Sequence, residues 1–156
     1  MIIRWPKGLK TAKGSYCSAT GHVIDIMPTC LELAGAQYPE VLKGKEIYQL
    51  PGKSLVPTFT GKDVPREALY FEHEANRAVR KGQWKLVSRA MTTAPYTGPW
   101  ELYNLEKDRT ETNNLAEQYP AVVAEMAAIW DKWAGENNVY PVDGRGWNMK
   151  IRASIR

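Results

Sequence analysis

The chain has 156 residues, of which 44% are apolar and 24% are charged, values that are ordinary for a folded globular protein. This length allows one domain with its own core, and the composition excludes a disordered or a collagen-like chain. The formal net charge is +4, but the basic residues recur singly, so the charge favours a solvated surface over nucleic-acid binding.

The first predicted element is a short apolar run from Met1 to Trp5, which Pro6 ends. Adjacent Met and Ile residues suit a strand buried on both faces better than an alternating surface strand. The sequence therefore predicts an orphan core strand that needs neighbours on both sides. The polar, glycine-containing stretch 7–21 is predicted to be a loop.

A helix is predicted after this loop. Apolar residues recur at helical spacing from Val23 to Leu33, and Gly35 is placed to end the helix just after Ala34. Because proline is tolerated in a first helical turn, we expect the helix to begin close to Pro28.

Residues 35–67 contain so many glycines and prolines that we expect no long regular element, only an extended surface connection. From Ala68 to Leu105 the pattern becomes that of an antiparallel meander with a tight hairpin turn at Lys81-Gly82. Its four strands are predicted at Leu69 to Glu74, about Arg77 to Arg80, Trp84 to Ser88, and Trp100 to Asn104.

A sheet of this kind needs a cover on one face, and residues 120–134 can supply it. Pro120 is placed to begin a helix and Gly135 to end it. The apolar stripe of this helix is predicted to contain Val122, Met126, Ile129 and Trp133, with Val123 and Trp130 beside it. The predicted class is α+β: a four-stranded antiparallel meander packed by a C-terminal amphipathic helix, preceded by a helix and an orphan core strand.

The densest polar cluster lies at the end of the first hairpin, where His73, Glu74, Asn76 and Arg77 are candidates for substrate binding. Arginine matches oxyanions with its fork of donors, so Arg77 and His73 could bind an anionic group. The alternative is that a glutamate and the arginine pair across the hairpin while His73 caps the core face. The sequence leaves both interpretations open.

Other chemical groups have weaker signals. His22 and Asp25 could form a carboxylate–imidazole pair for catalysis or metal binding, although such a pair more often caps a helix. Cys17 and Cys30 could pair, but the sequence does not test their geometry. Because three tryptophans occupy periodic core positions, the aromatic platforms left for stacking on a sugar are Trp5, Tyr96, Trp100 and Trp147.

Several segments resemble consecutive blocks of the arylsulfatase family, in the same order. Residues 2–8 resemble the strand after the family's glycine-rich active-site segment, and Asp25-Ile26-Met27-Pro28-Thr29 resembles its D-[IL]-x-P-T block. Residues 50–55 resemble its "dG.SL" loop, and residues 70–86 its C-terminal hairpin. Glu101-Leu102-Tyr103-Asn104-Leu105, followed by Asp108, Glu111 and Asn114-Leu115, resembles the signature "ELYDL..D..E..NLA".

The resemblance implies the C-terminal region of a sulfatase of the alkaline-phosphatase-like superfamily. Such enzymes hydrolyse sulfate esters with a formylglycine made from the cysteine of C-x-[PA]-x-R, beside a calcium ion. The segment that begins at Cys17 has Gly21 where this motif needs arginine. We therefore expect no catalytic residue, metal ligand or cofactor in this chain, which would be inactive alone, and expect calcium and formylglycine in the full-length enzyme.

The same resemblance suggests a division of the chain. Residues 1–67 would be a remnant of the large sulfatase domain, 68–137 the C-terminal antiparallel-sheet subdomain with its helix, and 138–156 a tail. The expected partner of the full-length enzyme is a sulfated small molecule or carbohydrate. Nucleic acid is not expected, and neither is a membrane, since no apolar run approaches the roughly 20 residues that span a bilayer.

Two other classes of function remain open at this point. The chain could be an independent carbohydrate- or anion-binding module that uses the cluster at residues 73–77. It could also be a self-associating structural fragment, a homo-oligomer in which the strand from Met1 to Trp5 pairs with another copy.

Overall fold

The computed structural model describes residues 1–9, 14–90 and 96–140, and the chain forms two compact units. The first unit comprises Met1–Arg66, and the second begins at Glu67. The second unit holds a four-stranded antiparallel sheet with a helix packed on it, so the predicted α+β class is confirmed. No helix in the described ranges is long and apolar enough to cross a membrane.

The first unit contains helix α1 (Ile26–Ala34), which follows a single 3-10 turn at Val23–Asp25. The helix begins just before Pro28, so this proline lies in the first turn, where the missing N–H costs little. Gly35 has a φ of +63° and donates its N–H to the carbonyl of Glu32. The helix therefore ends at the glycine, as predicted.

The connection after α1 contains more regular structure than predicted. Strands β1 (Val41–Leu42) and β2 (Lys45–Glu46) form a short antiparallel hairpin, and Val56–Thr60 forms a 3-10 helix. The turn residues Lys43 and Gly44 both have positive φ, as a tight hairpin turn requires. The segment around the 3-10 helix is anchored by the buried residues Leu55, Thr58 and Phe59.

The strand predicted from Met1 to Trp5 is not formed. The side chains of Met1 and Ile2 are 82% and 98% exposed, and the segment leads into a turn in which Gly8 and Leu9 donate to the Trp5 carbonyl. A strand exists only through hydrogen bonds to a neighbouring strand. No strand within the described ranges pairs with this segment, so its apolar character alone does not make it regular.

The sheet of the second unit comprises β3 (Leu69–His73), β4 (Asn76–Lys81), β5 (Trp84–Ser88) and β6 (Trp100–Asn104), paired in chain order. Strand β4 is longer at both ends than predicted. The turn after it is Gly82-Gln83, not Lys81-Gly82, because Lys81 still pairs with Trp84.

Helix α2 (Pro120–Glu136) packs on one face of this sheet. The fully buried core is made by Val79, Leu86 and Leu102 from the sheet and by Met126, Trp130 and Ala134 from the helix. Ile129 and Trp133, predicted on the helical stripe, pack against this core but are only half-buried. The small Ala134 faces the sheet instead, and Gly135 continues the helix for two residues past its predicted end.

Candidate functional site

The candidate site lies at the tight turn between β3 and β4. Glu74 and Ala75 form this turn with φ values of +50° and +66°. Such a turn normally selects asparagine and glycine, because both central residues need positive φ. Here neither residue is of that kind, and Ala75 is only 4% exposed. The conformation costs about 1–3 kcal/mol per residue, which the surrounding contacts must offset.

Glu72 holds the turn from one side. Its Oε1 accepts a hydrogen bond from the N–H of Ala75 at 2.9 Å and another from the hydroxyl of Tyr96 at 3.2 Å. Burial raises the pKa of Tyr96, and the nearby Glu72 carboxylate raises it further, so the hydroxyl stays protonated and donates at neutral pH. The Glu72 carboxylate therefore links the turn to the segment that leads into β6.

Asn76 holds the turn from the other side. Its amide donates to the carbonyl of His73 at 2.8 Å and accepts from the N–H of Ala90 at 3.0 Å. The imidazole of His73 is exposed, and within the described part of the chain it has no hydrogen-bond or ion-pair partner. The side chain of Asn76 is thus used structurally, whereas the imidazole of His73 faces solvent.

Arg77 lies on the opposite face of the sheet from His73. The register pairs His73 with Asn76 and Glu72 with Arg77, and successive pairs face opposite sides. The Glu72–Arg77 pair faces helix α2, because it lies on the same side as the buried Val79. The structure therefore brings His73, Glu74 and Asn76 together at the turn and places Arg77 on the other side of the sheet.

The guanidinium of Arg77 is enclosed by aromatic rings. Its central carbon lies 3.9 Å from the ring centroid of Trp100, 5.5 Å from Trp130 and 5.9 Å from Tyr96, distances typical of cation–π contacts. Burial lowers the pKa of Arg77 from its ordinary value. Its Nε is buried and has no hydrogen-bond partner among the described residues. This enclosure depends on strand register and was not predicted from the local sequence.

A glycine lets the loop before β6 approach this cluster. Arg77 donates to the carbonyl of Gly98 at 3.4 Å, and the hydroxyl of Ser88 donates to the same oxygen at 2.7 Å. A Cβ at Gly98 would lie 2.0 Å from the carbonyl oxygen of Arg89, so no larger residue fits. Gly98 therefore occupies a position that only glycine can fill.

The predicted sugar platforms are mostly engaged by other aromatic rings. Tyr96 and Trp100 pack against Trp130 with ring centroids 5.4 and 6.3 Å apart, and Trp5 lies edge-on to Phe59 at 6.2 Å. Trp147 lies outside the described residues. A role for these rings in stacking on a sugar is thus less favoured than a role in packing.

His22 and Asp25 form a helix cap, as the more common interpretation predicts. Nδ1 of His22 accepts from the N–H of Ile24, and the Asp25 carboxylate accepts from the N–H of His22 at 2.7 Å. The buried Asp25 also accepts from the N–H of Lys53 at 2.9 Å and pairs with Arg66 at 2.5 Å. Burial would raise the pKa of Asp25, but these hydrogen bonds and the guanidinium lower it.

The described residues do not fit the calcium centre that the sulfatase resemblance implies for a full-length enzyme. They contain no group of three or more His, Cys, Asp or Glu arranged to hold a metal ion. Cys17 and Cys30 are both free thiols and both exposed. No step of catalysis is therefore assigned to a metal or to a modified cysteine of this chain.

Known proteins resemble the chain over most of its length. The family model described as N-sulphoglucosamine sulphohydrolase, C-terminal, matches residues 1–132. An uncharacterized sulfatase of Schizosaccharomyces pombe is 33% identical, and the match covers 88% of this chain and 25% of the relative. The choline-sulfatase of Rhizobium meliloti is 30% identical, with coverage of 87% and 27%. The chain thus spans about a quarter of the length of these relatives.

A solved structure supports the same assignment. The structure of Ps i-CgsB in complex with k-i-k-neocarrahexaose superimposes with a TM-score of 0.64 at 25% identity, covering 85% of this chain and 28% of the other. Both kinds of comparison match a region of the size expected for a C-terminal part. The sulfatase resemblance is therefore confirmed, and the chain belongs to the N-sulphoglucosamine sulphohydrolase C-terminal family of sulfatases, which are hydrolases.

Proposed function

We propose that this chain is the C-terminal part of a sulfatase, in which it supplies the scaffold and one wall of the substrate pocket. The substrate of the whole enzyme is a sulfated small molecule or carbohydrate. The names of a choline-sulfatase and of a relative solved with k-i-k-neocarrahexaose support both kinds of substrate. In this proposal the chain carries no catalytic group and does not hydrolyse sulfate esters alone.

The observation that carries the pocket role is the strained turn between β3 and β4. Two residues without the usual turn chemistry are held at positive φ, and Glu72 and Asn76 lock them with hydrogen bonds. Strain of this kind persists where the surroundings enforce it, and it concentrates at ligand-binding positions. The turn therefore holds the backbone of His73 in a defined place and presents its exposed imidazole to solvent, where a substrate can reach it.

The four predicted site residues divide into two roles in this proposal. His73 and Glu74 at the tip of the turn contact the substrate, with the imidazole donating to an anionic or hydroxyl oxygen. Asn76 and Arg77 position the turn, Asn76 through its bonds to His73 and Ala90, and Arg77 through the aromatic rings beneath it.

Steady-state kinetics test the contact with substrate. In an enzyme that carries this chain as its C-terminal quarter, His73→Ala should raise KM about tenfold and change kcat little, the effect of losing one hydrogen bond to a charged group. Lys132→Gln changes a residue on the exposed side of α2 and serves as the control. Equal KM values for both variants would show that the turn does not touch substrate.

The isolated chain tests the scaffold role. We expect no hydrolysis of a chromogenic sulfate ester by the purified 156 residues, and turnover above background would contradict the proposal. Glycan-array binding by the isolated chain that His73→Ala abolishes would instead favour an independent binding module.

A further inference from the structure

A polar cavity lies at the opposite end of the sheet from the His73 turn. Its volume is about 430 Å³, within the range of small-molecule sites. It is lined by Arg80 at the end of β4, by the turn residues Gly82 and Gln83, and by Glu106, Arg109 and Glu111 from the loop after β6. We call it the Arg80–Arg109 pocket.

The sheet places two positive charges side by side at this pocket. Arg80 and Lys85 are directly paired across β4 and β5, and like charges in that arrangement destabilise a sheet. The ammonium of Lys85 is compensated by the carboxylate of Glu111 at 2.5 Å. The guanidinium of Arg80 has no hydrogen-bond or ion-pair partner within the described ranges. Among the residues that the structure describes, Arg80 is therefore a cation without a compensating partner, at a position where it costs stability.

The loop after β6 adds a second guanidinium, that of Arg109. The carboxylate of Asp108 accepts from the N–H groups of Thr112 and Asn113, both at 2.8 Å, so this loop is tightly held. Arg109 projects from it and, like Arg80, lacks an ion-pair partner in the described part of the chain. The lining itself holds two arginines and two glutamates, but Lys85 beside the pocket pairs with Glu111. Among the described residues this leaves Glu106 as the remaining carboxylate opposite the two arginines, and the pocket counted together with Lys85 has a net charge of +1.

We propose that the Arg80–Arg109 pocket binds a sulfate group of a sulfated saccharide, as a site separate from the ester that is cleaved. The guanidinium groups of Arg80 and Arg109, which have no partner among the described residues, offer the forked donors that oxyanions prefer. The amide of Gln83 can hydrogen-bond sugar hydroxyls, and no atom lies within 4 Å of the position of a Cβ on Gly82, so the turn leaves room beside the arginines.

The location extends the proposed function, on which this assignment of a sulfated saccharide rests. Arg80 points to the same face of the sheet as Asn76 and His73, four residues along β4 from Asn76. The two sites are therefore about 13 Å apart along the strand. A single extended saccharide lying along β4 can reach both, which would favour polymeric over monomeric substrates.

Amide NMR on the full 156-residue chain tests the pocket directly. Three ligands are titrated: a sulfated disaccharide, its unsulfated counterpart and inorganic sulfate. We expect the sulfated disaccharide to shift the amides of Gly82, Gln83 and Arg109. The unsulfated sugar should shift none of them, and inorganic sulfate should bind about tenfold more weakly because it lacks the sugar contacts.

Charge-matched variants test whether binding depends on the pocket or on the net charge of the chain. Arg80→Gln and Arg109→Gln should each weaken binding of the sulfated disaccharide about tenfold, whereas Lys132→Gln removes the same charge and should have no effect. Because Arg109 is exposed, its variant remains informative even if Arg80→Gln impairs folding.

Several results would overturn the assignment. Equal loss in all three variants would mean that only net charge matters, and equal binding of inorganic sulfate and disaccharide would rule out a saccharide site. Absence of shifts at Gly82 and Gln83 would rule out the pocket. His73→Ala should leave binding of the disaccharide at the pocket intact. The pocket proposal and the proposed substrate contact of the His73 turn can therefore fail independently of each other.

Discussion

Arg77 joins three parts of the second unit. It lies in strand β4, and its guanidinium makes cation–π contacts with Trp100 of β6 and Trp130 of α2. It also donates a hydrogen bond to the carbonyl of Gly98 in the loop before β6. A cation–π contact shielded from solvent contributes about 2 kcal/mol. The buried Nε without a partner lowers the benefit, because its desolvation is not repaid by a hydrogen bond.

We expect Arg77→Ala to lower the free energy of unfolding by about 2–3 kcal/mol, through lost cation–π contacts and lost packing of the side chain. Arg77→Lys should cost less, since it keeps the charge but loses the planar stacking. Urea denaturation followed by tryptophan fluorescence measures both, with Lys132→Gln as the control. If Arg77→Ala lowers the free energy of unfolding no more than Lys132→Gln does, the aromatic enclosure contributes nothing to stability.

Asp25 gives the first unit a dependence on pH. Because its pKa in the folded state is lowered, the stabilisation is complete above the ordinary aspartate pKa of about 4 and is lost as the pH falls through the folded pKa. Removing the carboxylate would leave the buried guanidinium of Arg66 without its partner, a change that costs about 3–5 kcal/mol.

Asp25→Asn should therefore destabilise helix α1 at neutral pH and remove the loss of stability in acid. Hydrogen exchange of the α1 amides between pH 3 and pH 7 measures this, with allowance for the intrinsic pH dependence of exchange. The exposed Asp63→Asn is the matched control. Unchanged protection of the α1 amides in Asp25→Asn would show that this carboxylate does not stabilise the helix.

The side of the sheet that a residue faces could not be predicted from local sequence. A shift of register by one residue moves every side chain of a strand to the other face. The sequence therefore located His73 and Arg77 in one hairpin but could not separate them onto opposite faces. The cap at His22 and Asp25 was predictable, because it depends on contacts only three residues apart.

At the level of elements, the two tight turns of the sheet differ in their chemistry. The turn between β3 and β4 uses Glu74 and Ala75 at positive φ, whereas the turn between β4 and β5 has Gly82 at +55°. Glycine adopts positive φ without the steric cost that a Cβ imposes. The first turn thus stores strain that the second avoids.

Glu74→Gly should consequently stabilise the second unit by about 0.5–1 kcal/mol, while Gly82→Ala should destabilise it by about 1 kcal/mol. A Cβ at Gly82 would meet no atom within 4 Å, so its effect is purely conformational. Thermal denaturation of both variants measures whether the melting temperature rises for Glu74→Gly and falls for Gly82→Ala. If both substitutions lower the melting temperature, the first turn is not strained.

The predictable elements are those with a clear period. Alternation located strands β3 to β6 closely, and helical spacing located both helices. The β1–β2 hairpin and the 3-10 helix at Val56–Thr60 are too short to show a period. The many glycines and prolines of this segment therefore led to the prediction of an irregular connection. All residues predicted on or beside the apolar stripe of α2 belong to the core or pack against it, and the prediction left out only Ala134, whose small side chain is fully buried.

At the scale of the whole molecule, most of the exposed large apolar residues in the described ranges lie in the first unit. Met1 and Ile2 are almost fully exposed, and on α1 the residues Ile26, Met27 and Leu33 are 49%, 53% and 46% exposed. The three positions on α1 lie on one side of the helix. Apolar residues grouped in this way mark surfaces that contact other protein.

We expect the isolated chain to self-associate through this face of α1. Sedimentation velocity should show a weight-average mass that rises with concentration, and Met27→Lys with Leu33→Lys should abolish the rise by placing charges in the contact. Gln49→Lys with Gln118→Lys adds the same charge at exposed polar positions and should leave association unchanged. A monomer at every concentration would contradict the expectation. Equal suppression by both double variants would assign the effect to net charge and not to the apolar face of α1.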